Sequence, residues 1–198
     1  MPVKQRVEFS EVSQKMWPAA VVLAEYFLQS GVARGVRVLE LGCGVGFTGM
    51  VLAKRGGCSK LVLSDYSQSG LDLLQENLEL NGCSSEVGVW RLDWTDATLT
   101  DEQLGCFDLV YAADCWYDYE MAEVLTGLVK RICLLNGKCP FINATAIRNP
   151  KTYELYRNTL LEAGFEAKEL FLKRSDKPVF RFDSNERYSV VMEQYTLS

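Results

Sequence analysis

The sequence predicts a doubly wound α/β fold: a seven-stranded, mostly parallel sheet with helices on both faces and a C-terminal antiparallel hairpin. Three observations predict it. Short apolar runs alternate with stretches whose apolar residues recur at helical spacing. The first such run, Val36 to Leu41, leads straight into Gly42, Gly44 and Gly46 and then into a helix-like stretch. The chain ends in two alternating runs with no helix between them, as a hairpin would.

Each element follows in order. Residues 1–15 read as an extended lead-in, with Val7 and Phe9 alternating. Trp17-Pro18 starts a helix, because proline suits the first helical turn, and Gly31 ends it. The first strand is Val36 to Leu41, and the helix after the glycines runs to about Arg55, where Gly56-Gly57 breaks it. Lys60 to Ser64 is the second strand, closed by Asp65. The next helix carries Leu71, Leu74 and Leu78 on one face and stops at Asn81-Gly82. Val87 to Leu92 is the third strand, followed by Asp93-Trp94 and then by Thr100-x-x-Gln103, the spacing of a capping box. Phe107 to Ala113 is the fourth strand, and the helix after it spans about Tyr119 to Cys133. The fifth strand is Lys138 to Ala146. Asn149-Pro150 opens a helix that ends at Gly164. The closing strands are Phe165 to Leu172 and Arg187 to Leu197, joined by a polar loop over 174–185. The length suits one domain, residues 1–198.

Composition narrows the chemistry. Hydrophobic residues make up 48%, enough for a full core, and the net charge of −5 argues against a sequence-independent grip on a nucleic-acid backbone. The seven cysteines include no C-x-x-C, so a disulfide framework or zinc site is not expected, and no metal is. The chain contains no histidine, which removes the usual general base and any serine–histidine triad. No secretory signal or membrane span is read, so the expected setting is a reducing, cytoplasmic one.

The glycine turn is the first candidate site. A strand, a glycine turn and a helix N-terminus present backbone N–H groups to one spot. In the register Gly44-x-Gly46-x-x-Gly49 the turn fits a dinucleotide fingerprint. In the register Glu40-x-Gly42-x-Gly44-x-Gly46 it fits the first motif of S-adenosylmethionine (SAM) methyltransferases, where an acid suits a ligand bearing an ammonium and a sulfonium. Ligands in such sheets bind beyond the strands' carboxyl ends. Carboxylates stand at four consecutive ends: Glu40, Asp65, Asp93 and Asp114. Gathered there, they would need a cation to offset their repulsion. Asp65 stands where an acid accepts ribose hydroxyls, and Asp93-Trp94 where an adenine would find a polar edge and an apolar face. Singly, Asp65 and Asp93 could each cap the next segment, and Trp17 and Trp94 could be core.

The chain resembles the seven-strand, Rossmann-like SAM-dependent methyltransferases. Within them it is similar to the protein-lysine methyltransferases with an Asp-x-x-Tyr motif after the fourth strand. Asp114-Cys115-Trp116-Tyr117 matches that motif, and Trp17-Pro18-Ala19-Ala20, Leu39 to Gly44, Leu92-Asp93-Trp94 and Ala112-Ala113-Asp114 match other blocks. The resemblance spans about residues 9–197. Ala146-Ile147-Arg148-Asn149-Pro150, with Leu155 downstream, looks like the branch that methylates elongation factor 2. Members of that branch often carry a further N-terminal region, which these 198 residues do not include.

The resemblance implies a lysine-containing protein substrate, elongation factor 2 in that branch, with S-adenosylhomocysteine as the cofactor product. It implies that Trp17 lines the cofactor pocket, that Gly42, Cys43 and Gly44 contact the methionine part through backbone, and that Asp65 holds the ribose. Trp94 would meet the adenine with Asp93 nearby, and Ala113 would touch the cofactor through backbone. Asp114 and Tyr117 would face the methyl and the incoming amine. Trp116 and Tyr117 are then expected to form a dry slot that disfavours a charged amine, with Asp114 orienting it and, second, taking its proton. Three other readings stay open. One is a nucleic-acid or small-molecule methyltransferase on the same fold, although the Asn/Asp-Pro-Pro-aromatic motif of base methylation is missing here. Another is a nicotinamide oxidoreductase. The last is a catalytically silent, SAM-binding interaction module.

Overall fold

A computed structural model describes residues 1–5, 12–83, 85, 87–172 and 189–198. Residues 6–11 of the expected lead-in, with Val7 and Phe9, and the whole of the expected polar loop over 174–185 lie outside the described residues.

The elements follow the predicted order. Helix α1 (Pro18–Ser30) precedes β1 (Arg37–Leu41), and α2 (Phe47–Val51) continues as one π-turn, Leu52–Gly56. Then come β2 (Lys60–Asp65), α3 (Gln68–Leu80), β3 (Gly88–Arg91), the short α4 (Asp101–Leu104) and β4 (Leu109–Ala113). A 3-10 turn, Tyr119–Met121, leads into α5 (Ala122–Leu135), and β5 (Phe141–Ala146), α6 (Pro150–Glu162), β6 (Phe165–Leu170) and β7 (Val190–Leu197) complete the chain.

The end signals act as their chemistry dictates. Gly31 closes α1 at φ 68°, and its N–H donates to the Phe27 carbonyl. Thr100 and Gln103 form the reciprocal capping box at α4. The Asn149 side chain accepts from Lys151 N–H at the start of α6. Strand β5 starts three residues later than the sequence suggests. Lys138 sits at φ 63° and Pro140 has no N–H to donate, so pairing begins at Phe141.

The sheet has seven strands in the order β3-β2-β1-β4-β5-β7-β6. Strands β1 to β5 pair in parallel, while β7 runs antiparallel to both β5 and β6. The closing hairpin is therefore at the edge as expected, but its later strand lies inside and β6 is outermost. Burial explains the choice: Met192 and Tyr195 of β7 are buried, whereas β6 is mostly half-buried or exposed.

Both faces are covered. On one, α1, α2 and α3 pack Leu23, Phe27, Met50 and Leu74 against Val38, Leu63 and Tyr111. On the other, α5 and α6 pack Leu125, Val129, Ile132 and Leu160 against Leu39, Leu41 and Val110. Fully burying one such side chain contributes about 1.5–3 kcal/mol, so this double layer fixes where the strand ends stand. Strand β1 has β2 on one side and β4 on the other, so the order reverses there, and in such sheets ligands bind beyond the carboxyl ends at that reversal.

Candidate active site

The crevice floor is the turn after β1. Gly42, Gly44 and Gly46 all hold positive φ, at 64°, 51° and 77°. At Gly42 the need is also steric. A Cβ there would stand 2.5 Å from the Cys115 Sγ and 3.5 Å from Cζ2 of the Trp94 ring. The turn is tied down by Cys43 N–H donating to the Ser64 carbonyl and Gly46 N–H donating to the Cys43 carbonyl. The Cys43 thiol is buried, and burial pushes its pKa well up, so it serves as apolar packing.

Asp65 ends β2 beside this turn. Its Oδ2 accepts Gly44 N–H at 2.9 Å and its Oδ1 accepts Ser67 N–H at 3.0 Å. The carboxyl is buried, and burial raises its pKa despite these bonds. A carboxylate has about four acceptor positions, so two amides leave room for further donors. Trp94 is half-buried with its ring edge at Gly42. Asp93 is exposed, and its Oδ1 accepts both the Thr95 N–H and the Thr95 hydroxyl, which holds its pKa down. Ala113 closes β4 next to Asp114 and is nearly buried.

Asp114 is the most constrained residue of the crevice. Its φ of 59° is a left-handed conformation that few residues other than glycine adopt. Its side chain is 2% exposed. Oδ1 accepts Ala146 N–H at 2.8 Å and Arg148 Nη1 at 3.1 Å, while Oδ2 accepts Arg148 Nη2 at 3.3 Å and Ala19 N–H at 3.4 Å. It therefore joins the start of α1 to the end of β5. Trp17, which has no side-chain cap to offer α1, is half-buried and donates its Nε1–H to the Val12 carbonyl at 2.9 Å. Lys15 Nζ and the Arg148 guanidinium each lie 4.7 Å from the Trp17 ring centroid.

The structure adds partners to one expectation and corrects another. Each of the four carboxyls has its own protein partners. Glu40 is the clearest case: it is buried, and its Oε2 accepts the Tyr111 hydroxyl at 2.8 Å. Burial raises its pKa to about 8. Trp116 does not line an amine slot. It is 5% exposed and stacks on Tyr156 with ring centroids 5.3 Å apart, within the core beneath α6. Tyr117 faces outward, 57% exposed. Arg148 was not predicted as a site residue. Its signal was its position, a cation directly after the fifth strand and before Asn149-Pro150.

A glycine turn, an aromatic ring edge against it and a buried acid on the next strand define a nucleoside-type ligand crevice of a doubly wound fold. The lysine methyltransferase family model matches residues 2–159, and the chain belongs to that family. It is 35% identical over 165 residues to the human protein-lysine N-methyltransferase EEF2KMT, covering 75% of this chain and 49% of that protein. It is 31% identical over 159 residues to the protein-lysine N-methyltransferase EFM3 of Chaetomium thermophilum, covering 76% and 47%. The chain thus spans about half the length of the curated relatives it matches. Among solved structures it shares its fold with a SAM-dependent methyltransferase from Aquifex aeolicus, at TM-score 0.64 and 16% identity over 96% of this chain and 94% of that one. It likewise matches a SAM-dependent O-methyltransferase from Thermotoga maritima, at TM-score 0.62 and 17% identity over 96% and 68%. Among the described residues no helix is long and apolar enough to cross a membrane.

Proposed function

We propose that the chain carries the catalytic domain of a SAM-dependent protein-lysine N-methyltransferase, acting in the cytoplasm on a translation elongation factor, elongation factor 2 by its similarity to EEF2KMT. The observation that carries this is the family match together with the crevice chemistry: Asp65 buried with acceptor capacity to spare, beside a glycine turn and a half-buried indole. That set fits a nucleoside bearing two hydroxyl donors and an aromatic base. When bound, SAM supplies a methyl already activated by its sulfonium charge.

The chain's own residues then have the following work. Asp65 would accept the ribose hydroxyls, and the Trp94 face would cover the base, with Asp93 shaping the loop through Thr95. Gly42, Cys43, Gly44 and Ala113 would line the methionine part with backbone. Glu40, held by the Tyr111 hydroxyl, would stand beneath the turn on the ligand's methionine side. The target amine must arrive neutral, against an ordinary lysine pKa of about 10.4. Asp114 is committed to Arg148 and two amides, so it positions the site rather than accepting the proton, which leaves to water. Tyr117, exposed beside it, would contact the target side chain.

The test is transfer of isotope-labelled methyl from SAM to purified elongation factor 2 and to a cell lysate, with the labelled residue located by mass spectrometry. Label on lysine of a protein supports the reading. Label on nucleic acid or a small molecule, or none anywhere, rejects it.

A further inference from the structure

The segment 12–17 lies across the crevice. Its 3-10 turn, Val12–Gln14, places the Ser13 carbonyl oxygen 3.0 Å from where a Cβ on Gly44 would stand. The Ser13 hydroxyl oxygen stands 2.9 Å from the equivalent point on Gly70, in the first turn of α3. The segment thus roofs the glycine turn and touches the helix that follows Asp65. Its own internal tie is the bond from Trp17 Nε1–H to the Val12 carbonyl.

Besides these contacts of Ser13 and the Met16 N–H bond to Gln5 Oε1 at 3.1 Å, one side chain ties the end of the segment to the strand ends. Arg148 reaches back from the end of β5, grips both oxygens of Asp114 and lies over the Trp17 ring. Asp114 in turn accepts Ala19 N–H, the second helical residue of α1, and so substitutes for the missing N-cap. Arg148 suits this double task because a planar guanidinium can pair bidentately with a carboxylate and stack on an indole at once. Its side chain is 32% exposed while that of Asp114 is 2% exposed, so the guanidinium is the outer bolt and the carboxylate the inner socket.

We propose that Arg148 is the positioning residue that latches segment 12–17 over the glycine turn, and that retention of a ligand on that turn depends on this latch. The retention half rests on the proposed function; the latch itself does not. Loss of the guanidinium leaves the Asp114 charge buried without its cation and the Trp17 face uncovered. Segment 12–17 then lifts more often, and each opening lets the ligand leave.

The experiment compares wild type with Arg148→Met, Arg148→Lys, Trp17→Leu and, as a remote control, Arg157→Met, which removes only an ion pair to Glu193. Amide exchange over residues 12–19 is measured without ligand, and release of S-adenosylhomocysteine is followed by stopped-flow competition. Arg148→Met is expected to speed both by about tenfold, the change that roughly 1.4 kcal/mol of lost contact produces. Arg148→Lys should fall between, and Arg157→Met, although it leaves the buried Glu193 without its cation and lowers global stability, should match wild type in exchange over residues 12–19 and in release. If Arg148→Met does not fold, Trp17→Leu is expected to show the same two changes. Unchanged exchange over residues 12–19 overturns the latch. Faster exchange with unchanged release overturns its control of retention. If wild type binds no S-adenosylhomocysteine, the proposed function falls, and exchange alone still decides the latch.

Discussion

Glu40→Gln should stabilise the protein, and by an amount that depends on pH. The carboxyl is fully enclosed beneath the glycine turn, with the Tyr111 hydroxyl and Gly49 N–H as its donors. Burial, the largest cause, lifts its pKa from the ordinary 4.5 to about 8. Below about pH 4.5 both the folded and unfolded chains hold the proton and nothing is lost. As pH rises from there, the unfolded chain releases the proton while the folded chain keeps it. Stability therefore falls through this window until the folded carboxyl also ionises near pH 8. At pH 7 the accumulated cost is about 3 kcal/mol, a sizeable share of a typical 5–15 kcal/mol. Glutamine keeps an acceptor for Tyr111 and carries no titrating proton. Urea unfolding of both proteins from pH 4.5 to 8 measures the difference, in which other titrating groups cancel. The variant's advantage should be small at pH 4.5 and grow to about 3 kcal/mol at pH 7. A difference that is constant with pH, or that favours wild type more as pH rises, would show that Glu40 is ionised in the fold and refute the reasoning.

Other outcomes follow from the same geometry. Gly42→Ala should cost about 1–3 kcal/mol in denaturant unfolding, because its methyl meets the Cys115 Sγ at 2.5 Å; Cys115→Ala in the same chain should restore only the contact part, leaving the left-handed strain. Trp116→Leu should lower stability by about 2–4 kcal/mol while leaving S-adenosylhomocysteine affinity within about twofold, as a core residue demands. If Trp116 instead lined an amine slot, methyl transfer would collapse with stability intact. Asp65→Asn should weaken S-adenosylhomocysteine binding by about tenfold or more in calorimetry, since one strong acceptor becomes a donor; an unchanged affinity would remove Asp65 from the ligand site.

Much of this architecture was legible because its signals are local. Gly31, the capping box at Thr100 and Gln103, and Asn149-Pro150 mark element ends through bonds within a few residues. The alternation of strands and helices dictated the parallel sheet, and Asp65 and Trp94 stand at strand ends as the order requires. What the sequence hid was long-range. The insertion of β7 between β5 and β6 depends on Met192 and Tyr195 finding the core across the sheet. The tie of Glu40 to Tyr111 was hidden because that partner lies 71 positions away on β4. Trp116 looked like a slot wall because stacking on Tyr156 requires α6 to fold back onto α5 and the β6–β7 end of the sheet. Arg148 and Asp114 meet only once β4 and β5 are paired, so the motif by itself gave no sign that its acid is half of an ion pair.

The proposed function requires the β1–β4 strand ends to hold SAM and its demethylated product. Isothermal titration of S-adenosylhomocysteine into the purified chain tests it most directly. Saturable one-site binding in about the micromolar range is expected, with a matching rise in melting temperature. No heat of binding and no thermal protection at millimolar ligand would contradict it.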